Sequence, residues 1–449
     1  MPAALDLIVR NARLPHRDGL LDIGIRDGVF TRIAPNLRQS ATRVIDAGGR
    51  LVSPPLVDSH VHLDAVLTVG QPRYNQTGTL IEGIQIWSER KPSLTREDVK
   101  RRATEAIRWE VAQGTLFIRS HVDVCDPTLT ALRALVEVRE EVKDICELQL
   151  VAFPQDGIQS FPDGARLMDE AMRLGADVVG GIPHYEWTRE MGVADVHTAF
   201  ELARRYNRDI DCHCDETDDP ESRFTEVMAA NTLEQGWDGR VTVSHCTAMH
   251  SWDNAYAFKI IRLLARGRLN VIANPYDNSI LQGRFDTYPR RRGIARVKEL
   301  LQAGVNVSLG HDSIMDPWYP LGRGDMLAAA NLALHLAQMS GFDEIRTMYD
   351  LITANAARTL NVADRYGIEE GKPASLIVLD AADAYDALRL VPARLHVIKD
   401  GRVVASTTPA QSTLTRAGGA EPVTFVPSTP TAAEVEMAAR PGATPEERA

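Results

Sequence analysis

Eight short apolar segments, separated by loops and amphipathic helical stretches, fill residues 51–310 and constrain the fold more than any other feature. They are LVSPPLV from Leu51, TLFIRSHV from Thr115, LQLVAF from Leu148, ADVVGGI from Ala176, DIDCHC from Asp209, VTVSHC from Val241, NVIAN from Asn270 and VNVSLG from Val305. Their length and β-branched content predict strands. Between them, TREDVKRRATEAIRWEVAQG opens on a Thr-x-x-Asp capping pattern at Thr95 and stops at Gly114. VADVHTAFELARRYNRD and IARVKELLQAG, the latter closed by Gly304, are further helices. Alternating strands and helices imply a parallel sheet, and eight units over about 300 residues suit a closed (β/α)8 TIM barrel of the α/β class. An open doubly wound sheet is the rival, but no GxGxxG turn follows an early strand.

The flanks change period. LIVRNARL and LLDIGIRDGVFTRIA before the barrel, and SLIVLD and LHVIKDGRVVAS after it, read as short strands with tight turns. We expect residues 1–50 and 361–410 to join in one small β-sandwich, with the barrel at 51–360. Pro, Ala, Thr and Glu accumulate without periodicity beyond that point, so 411–449 is expected to be largely disordered.

Composition excludes several classes. The 449 residues carry a net charge of −11, which argues against nucleic acid or an anionic membrane as a partner. No apolar run approaches the ~20 residues of a membrane span, and the N-terminus lacks a signal-peptide pattern, so the cytoplasm is the expected location. Cys125, Cys146, Cys212, Cys214 and Cys246 lie in or beside apolar segments and read as buried reduced thiols.

Catalytic groups of such a barrel sit at the C-terminal strand ends. The first strand runs into His60-Val-His62, whose i and i+2 spacing puts both rings on one face. On their own these histidines are equally well a polar patch. The fifth strand ends in His213, Asp215 and Glu216, the sixth in His245, and the eighth in His311, Asp312 and Ser313. Each has a bland alternative: a satisfied core histidine for His213, a helix cap for Asp312. Convergence of all of them on one rim favours a metal site.

These residues carry a resemblance. HVHLD, GQPRYNQTGTLIEGI, VAFPQDGI, HCDE, SHCTAMHS, LQGRFDTYPRRRGI and GHDSIMDPWYPLG resemble, in order, segments of the amidohydrolase superfamily and within it the bacterial cytosine deaminases. The likeness runs from about residue 50 to residue 405. It implies that His60, His62, His213 and Asp312 bind one divalent metal per subunit, Fe2+ or Zn2+, between which these ligand types do not choose. It implies that Glu216, His245 and Asp312 are catalytic and that Gln155, Ser313, Trp318 and Leu80 contact an aminopyrimidine-like substrate. A homo-oligomer is also implied.

The chemistry agrees. Replacing an aromatic amine by hydroxide needs a nucleophile stronger than neutral water, which a bound divalent metal generates. Glu216 can protonate the ring nitrogen and then the leaving ammonia, His245 can stabilise developing charge, and Asp312 can take the water's proton. The fourth strand ends in GGIPHYE, without a lysine that could bridge two metals, so a single metal is favoured. The H-x-E and P-C-x-x-C plan of the other zinc deaminases is absent.

One position departs from the family pattern: Ser313 stands where cytosine deaminases carry a second aspartate. Losing a carboxylate there makes room and removes charge, which makes 5-methylcytosine, isocytosine or an amino-triazine plausible substrates, although a change this small can also be neutral. An amino-triazine or N-alkylamino-triazine amidohydrolase is the alternative activity. A non-catalytic barrel would have lost ligands or Glu216, and none is missing.

Overall fold

The computed structural model describes residues 4–426, and the barrel in it is built as the alternation predicts. Strands β1 (Leu5–Ala12), β2 (Leu21–Arg26), β3 (Val29–Ala34) and β4 (Ala41–Asp46) form a sheet in the order β3-β2-β1-β4. β5 (Val52–Ser53) leaves this region. Eight parallel strands then follow in sequence: β6 (Leu56–Val61), β7 (Thr115–Asp123), β8 (Glu147–Phe153), β9 (Val178–Val179), β10 (Asp209–Cys214), β11 (Val241–His245), β12 (Asn270–Ala273) and β13 (Asn306–Leu309). β14 (Leu376–Leu379), β15 (Arg394–Lys399) and β16 (Arg402–Ser406) join β5 in a second small sheet, ordered β16-β15-β14-β5. Leu7, Val9, Ile23 and Phe30 of the first small sheet share one hydrophobic cluster with Val52, Leu376, Val378 and Ile398 of the second.

Three expectations need correction. The segment from Leu51 is two strands, because Pro54 and Pro55 have no N–H with which to continue a ladder. Its first part pairs with β14 (Val52 opposite Val378) and only its second enters the barrel. The fourth barrel strand is cut to two residues at Gly180, where a Cβ would lie 2.4 Å from the Ala152 carbonyl oxygen. Within the tail expected to be disordered, β17 (Ser412–Arg416) and β18 (Gly419–Val423) pair antiparallel, in a compact unit of their own that begins at Thr408. The tail from 427 onward lies outside the described residues.

The helices are fixed locally. Thr95 accepts the Asp98 amide at 3.2 Å and starts the helix Arg96–Ala112, as predicted. Thr188 caps a helix that begins at Arg189, four residues before the periodic segment suggested. Among the described residues no helix is long and apolar enough to cross a membrane.

The barrel closes between its first and last strands. A parallel bridge joins Val61 and Asp312, with the Asp312 amide donating to the His60 carbonyl at 2.7 Å and the His62 amide to the Asp312 carbonyl at 3.0 Å. Gly310 permits the approach, since a Cβ there would stand 2.5 Å from His60 Cβ. Asp58 Oδ1 accepts the amides of both His60 (3.1 Å) and His311 (3.0 Å), tying the two strands from one side chain.

Candidate active site

The ends of β6, β10, β11 and β13 bring His60, His62, His213, His245 and Asp312 together. His62 Nε2 lies 3.2 Å from His213 Nε2. Asp312 Oδ1 is 3.3 Å from His60 Nε2 and 3.5 Å from His62 Nε2. Three sets that share His60 have ligand atoms close enough to hold a cation: His60 with His62 and His213, His60 with His245 and Asp312, and, deeper in the barrel, His60 with His121 and Asp211. Asp215, His245, Cys246 and Asp312 all have positive φ, between 50° and 71°, so the rim is built from backbone that non-glycine residues adopt at a cost of about 1–3 kcal/mol each.

Burial decides the charge state of this cluster. His60, His62, His213 and His245 are pushed well below the ordinary imidazole pKa by desolvation and, secondarily, by neighbouring histidines that include His121 and His184, so their nitrogens are neutral donors of lone pairs. The tautomer of His60 follows from its neighbours. Ser244 donates its hydroxyl to Asp211 at 2.7 Å, so its oxygen accepts from His60 Nδ1 at 3.1 Å and leaves Nε2 free. That Nε2 has no hydrogen-bond partner among the described residues, nor does Asp312 Oδ2. Burial opposes ionisation of Asp211, but His121, Arg119 (2.9 Å) and Ser244 outweigh it and hold its pKa at about 2. A carboxylate thus stands behind His60 through a serine, the arrangement that orients metal-binding histidines. Neutral imidazoles, orphaned buried ligand atoms and a carboxylate together fit a divalent cation.

Beside the cluster lies a small cavity that opens at the C-terminal ends of the barrel strands. Its walls include His62, His213, His245 and Asp312 together with Glu216, Gln155, Ser313, Trp318 and Leu80, so every expected pocket residue is present in one place. Only His60 stands behind the wall. Glu216, 4% exposed, places Oε1 3.3 Å from His245 Nδ1, and desolvation pushes its pKa up to about 8. Asn278 Nδ2 reaches the same His245 nitrogen at 2.9 Å. Trp318 packs on Gly83, where a Cβ would approach the indole to 2.4 Å, and its ring centroid is 6.1 Å from that of His62.

The structure also adds groups that sequence reasoning missed. Asp277 lines the cavity and accepts the Ser313 hydroxyl at 2.7 Å. The cavity end at Ser313 therefore still holds a carboxyl group, supplied by Asp277 from the neighbouring strand end. His121 stacks on His60 with centroids 3.8 Å apart and stands 3.4 Å from Asp211. Both residues follow the rim rule: His121 is in SHVD at the end of β7 and Asp277 in NPYDN just after β12, strand ends whose polar residues had not been read.

The sequence profile of the amidohydrolase family matches residues 43–405. Among solved structures, 5-methylcytosine deaminase from Klebsiella pneumoniae, liganded with phosphonocytosine, superposes with a TM-score of 0.87 at 48% sequence identity, covering 89% of this chain and 98% of that one. N-isopropylammelide isopropylaminohydrolase from Burkholderia multivorans gives 0.77 at 26% identity, over 89% and 98% of the two chains. By sequence, N-isopropylammelide isopropyl amidohydrolase of Pseudomonas sp. strain ADP is 31% identical over 414 residues, 90% of this chain and 98% of its own.

Proposed function

Since the chain belongs to the amidohydrolase family, we propose that it is a metal-dependent aminohydrolase that converts the C–NH2 of a cytosine-like ring to C=O with release of ammonia, and that 5-methylcytosine is a substrate. The observation that carries this reading is the meeting, in one small cavity, of a buried acid that holds its proton at neutral pH with a neutral His–Asp cluster. The 48% identity with a 5-methylcytosine deaminase supports the ring class.

In this reading His60, His62, His213 and Asp312 hold a single divalent cation, iron or zinc. When bound, the cation supplies an oxygen nucleophile at neutral pH by lowering the pKa of water to about 7. Asp312, whose Oδ2 has no hydrogen-bond partner among the described residues, takes the proton that the attacking water gives up. Glu216 delivers its proton to the ring nitrogen beside the carbon under attack, then moves a proton to the departing amine. His245, 3.3 Å from Glu216, stabilises the charge that develops at the same carbon. Gln155 offers both an N–H and a C=O to the opposite edge of the ring. Trp318 and Leu80 wall the ring faces, and the short Ser313 side chain leaves space for a methyl group. Five buried free cysteines support a reducing compartment, the cytoplasm.

A second reading, removal of an N-alkyl amine from a triazine, is favoured by the 31% identity with the isopropylammelide enzyme. Assaying metal-loaded protein against cytosine, 5-methylcytosine, isocytosine and N-isopropylammelide separates the two. Ammonia from the pyrimidines is expected; isopropylamine from the triazine, with no ammonia from any pyrimidine, would replace the first reading by the second.

A further inference from the structure

The cavity has an acid that the reaction described above leaves unused. Asp277 stands in the first turn of the helix Pro275–Leu281, immediately after β12, and is 2% exposed. Ser313 donates its hydroxyl to Asp277 Oδ2 at 2.7 Å, which commits that oxygen as an acceptor. The other oxygen, Oδ1, is buried and has no hydrogen-bond partner among the described residues, although the side chain faces the same cavity as Glu216, His245 and Gln155. Burial and the neighbouring acids Asp316 and Glu216 push its pKa well above the ordinary carboxyl value, so nothing within the protein holds it in the ionised, accepting form and a donor brought by the ligand has to do so. Buried polar atoms without a partner are rare because their desolvation is uncompensated. In a cavity wall, the missing partner is a group that a ligand brings.

We propose that Asp277 is a substrate-binding residue that determines specificity, its free oxygen accepting an N–H of the exocyclic amino group while Ser313 holds the carboxyl in place. The proposal rests on the deaminase reading. An N–H at Oδ1 favours the ionised, accepting form of the carboxyl. The consequence is asymmetric between substrate and product. The amine offers N–H bonds at that position; the oxo product offers only a carbonyl oxygen, so two acceptors face each other once ammonia has left. A polar group left unpaired by one ligand and paired by another is the strongest discriminating device a small pocket has. Asp277 accordingly favours entry of the amine and departure of the product.

The test is Asp277→Asn in the metal-loaded protein. The amide can still accept the Ser313 hydroxyl through its oxygen, but presents an N–H where the orphan acceptor stood. The kcat/KM for 5-methylcytosine should fall roughly 10- to 100-fold, the worth of one hydrogen bond to a charged group. Inhibition by thymine, the corresponding product, should tighten by a similar factor, because the amide donates to its carbonyl. Asp277→Ser serves as the second variant, and should lower kcat/KM without tightening thymine. A thymine inhibition constant that is unchanged or weaker in Asp277→Asn overturns the proposal, whatever happens to kcat/KM, since a merely structural role would leave thymine alone or weaken both ligands together. If Asp277→Asn does not fold, the proposal stands or falls on Asp277→Ser, where equal losses for amine and product overturn it. Should the unmodified protein release no ammonia from any aminopyrimidine, the deaminase reading fails instead. Equilibrium binding of the 5-methylcytosine and thymine pair then still decides the role of Asp277: equal affinities overturn it.

Discussion

His62 and His213 point their Nε2 atoms at one another across 3.2 Å. Both rings are neutral, and His60 Nε2 and Asp312 Oδ2 nearby have no hydrogen-bond partner among the described residues. A cation relieves all of these at once. Stripping metal with a strong chelator should abolish turnover, and iron(II), zinc or manganese should restore it. An active preparation shown by elemental analysis to be metal-free would end the proposed mechanism. Because Ser244 fixes the His60 tautomer, Ser244→Ala should weaken metal affinity about 10- to 100-fold in a chelator competition; an unchanged affinity would mean that His60 needs no such support.

Glu216→Gln should leave metal content intact and lower kcat by about 10²- to 10⁴-fold, because it removes a proton carrier and not a ligand. Comparing metal per chain with single-turnover rates checks both halves. Near-normal turnover would reassign the acid to another cavity carboxyl.

The metal-stripped protein should lose stability as pH rises from 6.5 to 8.5. Burial raises Asp58, Asp64 and Asp316 to about 7 and Glu216 to about 8. Each folded-state pKa lies above its unfolded value, so each group contributes stability that is complete below about pH 4 and lost as pH climbs through 7 to 8. The buried histidines shift the opposite way, and their contribution declines only below about 6.5. Above that pH the carboxyls set the slope. A melting temperature that stays level or rises over this interval would contradict the buried, proton-holding state of these acids.

Ser313→Asp should shift preference from 5-methylcytosine toward cytosine, changing the ratio of kcat/KM values on the order of 10- to 100-fold. The new side chain adds bulk against the methyl and a third carboxyl beside Asp277 and Asp316, so a lower melting temperature should accompany it. If both proteins give the same ratio, Ser313 does not set specificity.

The barrel was legible because its signals are local. Apolar runs, caps such as Thr95 and the rim rule need only a few neighbouring residues. The split at Pro54 and Pro55 was visible in principle, since two prolines cannot sit inside a central strand, but which sheet takes Val52 depends on β14, more than 300 residues later. The Asp211–Ser244–His60 relay joins strands β10, β11 and β6 across the barrel, and no spacing within the chain announces it. Asp277 was hidden differently. It follows Asn-Pro, reads as the start of a helix, and acquires its meaning only when Ser313 is seen to bond to it.

The seam of the barrel carries a consequence for how the chain is made. Asp58 holds the amide of His311 across 253 positions of sequence, and Asp312 reaches His60 through the same closure. A chain emerging from the ribosome has His60, His62 and His213 long before it has Asp312. Contacts of such long range must first meet the loop-closure entropy of the chain between them, and so are slow to form. Until the last strand docks, the histidines have neither their carboxylate partner nor the spacing that draws them together. Capture of the cation should therefore mark completion of the barrel, and a stalled chain ending before residue 306 should be unable to scavenge metal that the finished protein retains.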